Sequence, residues 1–388
     1  MEYAERIKKI PPYLFAGIEK KINEKKKRGE KVISLSIGDP DIPTPKEIRE
    51  VLAREAMDEK NHNYSFSQGE EFFRGAVVRF CKNRFGLDLD SRKETIALMG
   101  SKEGLANFAR AYVNPKDKVL VPDPAYPVYS QGGALLCDGI PIHFPLSPEN
   151  DFLPDFKKME KKAKGAKLLY LNYPNNPTGA AATEECLREA VEFCKKNGML
   201  LAYDNAYSEF TFDGYSAPSI LQFGKQGIIE FHSLSKTFSM TGDRIGFAVG
   251  DEKLIEGLRK IKSNIDSGAP VYIQKAGGFA LDLYKGKERP SCVESIMGEY
   301  AKRRKVLVEG LNKIGLKAKM PKATFYVWAQ VGSIMDDAVF AEKAMEQGVV
   351  CTPGSGFGEC GKGFVRFAVT QNVELIKEAL ALLEKAIR

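Results

Sequence analysis

Short apolar segments alternate with amphipathic ones from about residue 95 onward. The apolar segments have the length and composition of buried strands: TIALM, KVLVPD, KLLYLNY, MLLAYD, IIEFHS and RIGFAVG. Between them lie stretches with apolar residues at helical spacing, such as EECLREAVEFCKKNG, where Gly198 suits a C-terminal cap. This alternation predicts an α/β fold, in which helices cover a mostly parallel sheet.

The pattern changes after residue 285. A long charged helix, EYAKRRKVLVEGLNKIG, precedes the strand-like runs TFYVWAQV, VVCTP and FVRFAV, and a final helix follows them. A chain of 388 residues with 43% hydrophobic residues can bury the cores of two domains. We therefore expect a large α/β domain over residues 46–284 and a smaller α+β domain over residues 285–388.

Composition narrows the function classes. The chain has no apolar run long enough to span a membrane and no apolar signal core near its N-terminus, so we expect a cytoplasmic protein without a membrane partner. Seven cysteines without a C-x-x-C pair favour reduced thiols, and three scattered histidines argue against a bound metal. The net charge of +7 is modest, and the densest charged run, residues 19–31, mixes glutamates with lysines and has no aromatic residue. We therefore expect no nucleic-acid partner.

The most informative segment is SLSKTFSMTGDRIGF, residues 233–247. In it, Ser233 and Ser235 come just before Lys236, and Arg244 follows eight residues after the lysine. This combination suits an aldehyde that carries a phosphate, because the lysine can form a Schiff base while the hydroxyls and the guanidinium bind the phosphate. The alternative is a Ser/Thr-rich loop with a solvated lysine.

Two segments upstream supply further polar groups. YDNAYSEF, residues 203–210, belongs to a buried parallel strand and its end, so Asp204 and Tyr207 should lie where open α/β sheets bind ligands. A carboxylate at that depth needs a cation, such as a protonated pyridine nitrogen, unless Asp204 caps the next helix. LNYPNNPTG, residues 171–179, is a rigid turn. Asn176 in that turn could present its amide to a ring oxygen; the alternative is a purely structural turn.

In this order, the three segments resemble those of fold-type I pyridoxal-phosphate enzymes, and specifically of class I/II aminotransferases. The resemblance covers nearly the whole chain and includes further segments: LSIGDPDIPTP (35–45), NYSFSQG (63–69), MGSKEG (99–104), DPAYPVY (123–129) and FVRFAV (364–369). Within the family the chain is most similar to the LL-diaminopimelate aminotransferases, which share GSKEG, NYPNNPTGA, FHSLSKT and KSNIDSG (262–268).

The resemblance implies the architecture and the partners. It implies a seven-stranded sheet, with residues 1–45 forming an N-terminal arm and the first part of the small domain. It implies pyridoxal 5′-phosphate as the cofactor, small amino-acid and 2-oxo-acid substrates, and a homodimer with shared active sites.

It also implies the roles of the cofactor-binding residues. Lys236 would bond to the cofactor aldehyde and later move a proton, while Asp204 would keep the ring nitrogen protonated. Tyr207 and Asn176 would hydrogen-bond the phenolic oxygen, and Tyr126 would stack on the ring, unless it is an interdomain packing residue. The phosphate would bind at a helix N-terminus and to these side chains: Ser101, Lys102, Ser233, Ser235, Arg244 and, from the neighbouring subunit, Tyr64.

The substrate would meet a second set of residues. Arg366 would bind its α-carboxylate, because a planar guanidinium suits bidentate binding; the alternative is a sheet-edge arginine in a surface salt bridge. Gly38 would lie against the same carboxylate, where a side chain would crowd it, and Asn176 would lie nearby. Resemblance to the diaminopimelate subfamily adds Asn264 and Tyr13.

Two positions depart from the family pattern. Asp243 stands before Arg244, where the family usually has a bulky apolar residue, so we expect its carboxylate to face away from the phosphate. Ser67 stands where plant-type diaminopimelate aminotransferases have a glutamate that binds the distal ammonium of the substrate. The other candidates for the distal group are uncharged, which leaves that ammonium without an obvious partner: Tyr13, Tyr129 and Asn264.

The expected reaction is transfer of an amino group between an amino acid and a 2-oxo acid. The resemblance implies LL-diaminopimelate and 2-oxoglutarate, a step of lysine biosynthesis. An aspartate or alanine type aminotransferase and a pyridoxal-phosphate lyase of the same fold stay open. A non-catalytic ligand sensor is disfavoured, because such regulators carry a DNA-binding domain for which we expect no room before IPPYLF.

Overall fold

The structure is a computed structural model that describes residues 2–12 and 14–387. Its α-helices are α1 (Glu5–Lys8), α2 (Leu14–Lys27), α3 (Lys46–Met57), α4 (Glu71–Phe85), α5 (Ser101–Tyr112), α6 (Val128–Gln131), α7 (Phe156–Ala163), α8 (Glu184–Asn197), α9 (Leu234–Thr237), α10 (Glu252–Lys262), α11 (Val271–Asp282), α12 (Ser291–Lys313), α13 (Asp337–Glu346) and α14 (Val373–Ile387). Its strands are β1 (Ile33–Ser34), β2 (Thr95–Leu98), β3 (Lys118–Asp123), β4 (Ile140–Pro145), β5 (Ala166–Asn172), β6 (Leu200–Asp204), β7 (Ile228–Ser233), β8 (Gly246–Gly250), β9 (Lys317–Ala318), β10 (Tyr326–Gln330), β11 (Val349–Val350), β12 (Thr352–Pro353) and β13 (Phe364–Ala368).

A seven-stranded sheet has the strand order β2-β8-β7-β6-β5-β3-β4, as the family resemblance implied. Strand β8 runs antiparallel to both of its neighbours, and the other pairs are parallel. Both faces are covered, because alternate residues enter two separate cores: Leu168 and Tyr170 pack with Phe108 on one side, whereas Leu169 and Leu171 pack on the other. Burial on both faces explains why these strands are continuous apolar runs in the sequence.

A second, antiparallel sheet has the order β12-β13-β10-β9 and lies beside helices α12 and α13, on which α14 packs. The predicted strand VVCTP is divided, because β11 and β12 pair with different partners on either side of Cys351. Strand β11 pairs with β1, so that Ile33 lies opposite Val349. The N-terminal strand β1 is therefore paired with the C-terminal part of the chain. The boundaries of the two domains stay a prediction.

The parallel strands bring three polar residues to one edge of the large sheet. Strands β5, β6 and β7 are neighbours and end at Asn172, Asp204 and Ser233. Gly198 ends α8 in the left-handed conformation, which returns the chain into β6 as the sequence predicted. Within the described ranges, no helix has both the length and the apolar character that a membrane span requires.

Candidate active site

A cavity of about 610 Å³ lies at this edge of the sheet. Most of the site residues predicted from the sequence line it: Gly38, Ser101, Lys102, Tyr126, Asn176, Asp204, Tyr207, Ser233, Ser235, Lys236, Arg244 and Arg366. Other lining residues were not among those predictions: Glu19, Ile37, Asp39, Gly100, Asn172, Ala206, Thr241, Gly242 and Tyr326. The fold thus gathers the separate motifs into one site.

Asp204 is buried at the end of β6. Tyr129 donates a hydrogen bond to its Oδ2 at 2.7 Å, and the Ala206 N–H donates to Oδ1 at 3.3 Å. Burial raises the pKa of Asp204 to about 6, although the hydrogen bond from Tyr129 opposes the rise. Both hydrogen-bond donors are neutral, so this carboxylate still needs a cation. Tyr129 also lines the cavity. Its hydroxyl is buried and bonded to Asp204, and its contact with the distal end of the substrate stays a prediction.

Asn172, at the end of β5, holds the turn that carries Asn176. Its Nδ2 donates to the backbone oxygen of Asp204 at 2.8 Å, and its Oδ1 accepts from the Asn176 N–H at 2.8 Å. The Asn176 side-chain oxygen in turn accepts from Arg366 Nη1 at 2.7 Å. The segment 171–179 is therefore a structural turn and also a wall of the cavity. Asn172 had a signal in the sequence, since it is the first polar residue after the apolar run KLLYL.

Lys236 follows β7 in the short helix α9. Its Nζ donates to the backbone oxygen of Gly38 at 2.8 Å. Burial lowers the pKa of Lys236 to about 8; the charge of Asp39 acts in the opposite direction, and those of Arg244 and Arg366 lower the pKa further. An amine with this pKa can serve as a base near neutral pH.

Arg366 is almost fully buried on β13, an inner strand of the smaller sheet. In addition to Asn176, its guanidinium donates from Nη2 to the backbone oxygen of Ser36 at 2.6 Å. Its Cζ lies 4.2 Å from the ring centroid of Tyr326 and 4.7 Å from that of Phe357. The alternative of a surface salt bridge is wrong, because this guanidinium faces the cavity from inside the protein.

Tyr326 is a lining residue that the sequence did not reveal. Its hydroxyl lies 3.2 Å from that of Tyr207, and a Cβ on Gly38 would lie 1.9 Å from the same oxygen. Position 38 therefore requires glycine, because a side chain there would collide with Tyr326. The position of Tyr326 follows from the register of β10 and β13, in which Trp328 lies opposite Arg366 and places Tyr326 diagonally beside it on the same face. The sequence identified both strands but could not give their register.

The cavity also has the groups expected for an anion site. Helix α5 begins at Ser101, and its preceding residue Gly100 has φ +82°. A Cβ on Gly100 would lie 2.5 Å from Arg244 Nη2, so glycine allows the guanidinium to approach the helix N-terminus. Arg244 is fixed by bonds to the backbone oxygens of Thr241 and Met99 at 2.8 and 3.2 Å. Among the described residues of this loop, Thr241, Gly242 and Arg244 line the cavity and Asp243 does not.

Tyr64 and Asn264 do not line this cavity. Tyr64 is 93% exposed and borders a second cavity of about 370 Å³. Asn264 follows α10 in the segment 262–268, which is tied to the segment of Tyr64 by a bond of 2.8 Å from Ser67 Oγ to the backbone oxygen of Asp266. Tyr13 lies outside the described residues.

The main cavity fits a phosphorylated aldehyde with a basic ring nitrogen. A helix N-terminus with Arg244 suits the phosphate, an amine of lowered pKa suits the aldehyde, and the buried carboxylate of Asp204 lacks a cation that a protonated ring would supply. Fold and site together define a pyridoxal-phosphate enzyme. The chain belongs to the family of class I and II aminotransferases, whose model matches residues 30–383. Its cofactor is pyridoxal 5′-phosphate.

Relatives and solved structures match the whole chain. The LL-diaminopimelate aminotransferase of Halothermothrix orenii is 47% identical, covering 100% of this chain and 99% of its own. The enzyme of the same name from Moorella thermoacetica is 46% identical with the same coverage. Substrate-bound BacF from Bacillus subtilis has a TM-score of 0.92 and 34% identity, covering 99% of this chain and 98% of its own. A single mutant of the aspartate aminotransferase of Thermus thermophilus has a TM-score of 0.93 and 27% identity over 100% of both chains.

Proposed function

We propose that the protein transfers an amino group between LL-diaminopimelate and 2-oxoglutarate, as an enzyme of lysine biosynthesis. The reaction type rests on one observation: a buried arginine and an amine of lowered pKa face the same cavity as an unpaired buried carboxylate. The substrate rests on the full-length similarity to relatives named LL-diaminopimelate aminotransferase.

Each side chain of the cavity has a separate task in this proposal. The bound cofactor supplies an electron-poor ring that withdraws electrons from the substrate Cα. Lys236 takes the proton from that Cα, and its lowered pKa supports this role. Asp204 holds the proton on the ring nitrogen, while Tyr207 and Asn176 donate to the phenolic oxygen. Tyr126 covers the ring face.

The two ends of the cavity bind the two anionic groups. The phosphate is held by the N-terminus of α5 and the surrounding side chains: Ser101, Lys102, Ser233, Ser235 and Arg244. Arg366 binds the α-carboxylate of the substrate, with Gly38 and Asn176 beside it. The bonds from Arg366 to Asn176 and to the Ser36 oxygen hold the guanidinium in place for bidentate binding.

The assembly in this proposal is a cytoplasmic homodimer in which Tyr64 and Asn264 serve the neighbouring site. Large apolar side chains are exposed in the segments 57–72 and 262–268, which contain Tyr64 and Asn264, and this supports a protein interface there: Met57, Tyr64, Phe66, Phe72 and Ile265. We also propose the domain division at residues 46–284 and 285–388, with residues 1–45 as the N-terminal arm and the first part of the small domain, because the two sheets are separate.

The test is a comparison of kcat/KM for LL-diaminopimelate, its meso isomer, aspartate and alanine, each with 2-oxoglutarate. LL-diaminopimelate should give the highest value and should convert the bound cofactor into its amine form without release of ammonia. A higher value with aspartate or alanine would contradict the substrate and keep the aminotransferase. Release of ammonia without conversion of the cofactor would indicate a lyase.

A further inference from the structure

The proposed donor has a distal ammonium group, and the cavity must contain a partner for it. A buried ammonium without a partner is costly, and a carboxylate is the natural one. Three carboxylates line the cavity: Glu19, Asp39 and Asp204. Asp204 lies at the bottom, buried and bonded to Tyr129, which leaves the two exposed carboxylates.

We propose that Glu19 is the residue that binds the distal ammonium of the amino donor and so sets the specificity of the enzyme. The proposal rests on the function proposed above, because only a donor with a second amino group offers this ammonium. Glu19 would thereby take the role of the glutamate that plant-type diaminopimelate aminotransferases have where this chain has Ser67.

The orientation of helix α2 directs Glu19 to the cavity. Ile22 of this helix is buried with 5% exposure, so its side of the helix packs on the protein. Glu19 is three residues earlier and shares that side, whereas Glu24 is five residues further along than Glu19 and lies on another side. Glu19 lines the cavity and Glu24 does not. Within the described residues, Glu19 forms no ion pair that would have to be broken when substrate binds.

Asp39 is placed at the reacting end of the substrate. It follows Gly38, whose backbone oxygen accepts from Lys236 Nζ, and its negative charge raises the pKa of that lysine. Asp39 therefore acts on the amine at which every donor reacts. Glu19 comes from a different element, so it can distinguish one donor from another without altering the reacting groups.

Two of the uncharged candidates, Ser67 and Asn264, lie outside the cavity of this chain. Ser67 donates its hydroxyl to the backbone oxygen of Asp266, and Asn264 donates its amide to that of Lys260 at 2.8 Å. Neither lines the cavity. Even if a neighbouring chain brings them to the rim, their hydroxyl and amide groups carry no charge and cannot neutralise the ammonium.

The test uses Glu19→Gln, which keeps the size of the side chain and removes its charge. The donors are LL-diaminopimelate and 2-aminopimelate, which has the same carbon chain without the distal amine. We expect Glu19→Gln to lower kcat/KM for LL-diaminopimelate about 10- to 50-fold, mainly through KM, and to leave 2-aminopimelate within about twofold. The loss should shrink at high salt, because Glu19 is exposed. Glu24→Gln, on the same helix, is the matched control and should change neither donor.

The remaining outcomes overturn the proposal in different ways. An equal loss of kcat/KM with both donors would assign Glu19 a structural role. If the preference for LL-diaminopimelate is lost in Asp39→Asn but kept in Glu19→Gln, Asp39 is the residue that binds the ammonium. Wild-type selectivity for LL-diaminopimelate that persists in Glu19→Gln would overturn the role of Glu19 alone. A wild-type enzyme that does not prefer LL-diaminopimelate to 2-aminopimelate would overturn the proposed substrate as well.

Discussion

The main cavity and the surface around Tyr64 differ in how far a single chain supplies partners for their side chains. In the cavity, polar groups are held by one another, as in the bonds from Tyr129 to Asp204 and from Arg366 to Asn176. Around the second cavity, large apolar side chains are exposed, including Tyr64 at 93% and Phe66 at 67%. The first region is prepared for a small molecule, and the second is suited to another protein surface. Substitutions in the two regions should therefore impair the protein in different ways.

The largest effect should come from the cavity, with Lys236→Ala. Loss of the amine removes both the covalent bond to the cofactor and the base, so we expect kcat to fall about 10⁴-fold. Borohydride reduction followed by peptide mass mapping should label Lys236 in the wild type and no lysine in the variant. Lys260→Ala, at an exposed lysine of α10, is the control and should behave as the wild type. A label on another lysine would refute this assignment.

Arg366→Lys should have the next largest effect. Lysine keeps the charge but cannot bond Asn176 and the Ser36 oxygen while presenting two parallel donors to a carboxylate. We expect kcat/KM to fall about 100-fold for every donor, with the cofactor still bound. Absorbance spectra of the variant check the cofactor, and a loss confined to LL-diaminopimelate would show that Arg366 binds the distal carboxylate.

The residues of the main cavity differ in how far the sequence could predict them. Asp204 and Lys236 were predictable, because each adjoins an apolar strand whose C-terminal end had to reach the edge of the sheet. Tyr326 was not, because it reaches Arg366 only through the register of two strands far apart in the chain. The bond from Tyr129 to Asp204 was not predictable either, since the position of Tyr129 in the sequence says nothing about its distance to Asp204. Glu19 was read as part of a solvated helix face, because composition does not show which side of a helix meets a cavity.

The surface around Tyr64 is tested by mixing two inactive variants. Lys236→Ala and Tyr64→Ala subunits should regain about a quarter of wild-type activity, because half of randomly exchanged dimers are mixed and each has one intact site. Lys236→Ala mixed with Arg366→Ala is the control and should regain none, since both defects then lie in the cavity of their own chain. Failure of the first mixture, despite confirmed exchange of subunits, would mean that Tyr64 does not serve the neighbouring site.

The smallest effect should be a gain in stability of the cofactor-free protein in Asp204→Asn. Burial raises the pKa of Asp204 from 3.8 to about 6, so the folded state binds the proton more tightly than the unfolded state and stability falls as pH rises through about 6. Asparagine still accepts the bond from Tyr129 and carries no charge. We expect the variant to be about 1–3 kcal/mol more stable at pH 8 and equal to the wild type near pH 4. Melting temperatures of the two cofactor-free proteins at both pH values measure this difference, and a variant that is less stable at pH 8 would contradict it.

The pairing of β1 with β11 has a consequence for the synthesis of the protein. Ser36 and Arg366, which bond directly across the site, are separated by 330 residues, and the Leu35 oxygen accepts from the Ala368 N–H at 2.6 Å. A ribosome produces residues 33–38 early, but their partners emerge only when nearly all of the chain has been made. The large sheet can form before then, because its strands end at Gly250. A chain whose translation stops after that point can therefore have a folded sheet with Lys236 in place and still lack the arginine that receives the substrate.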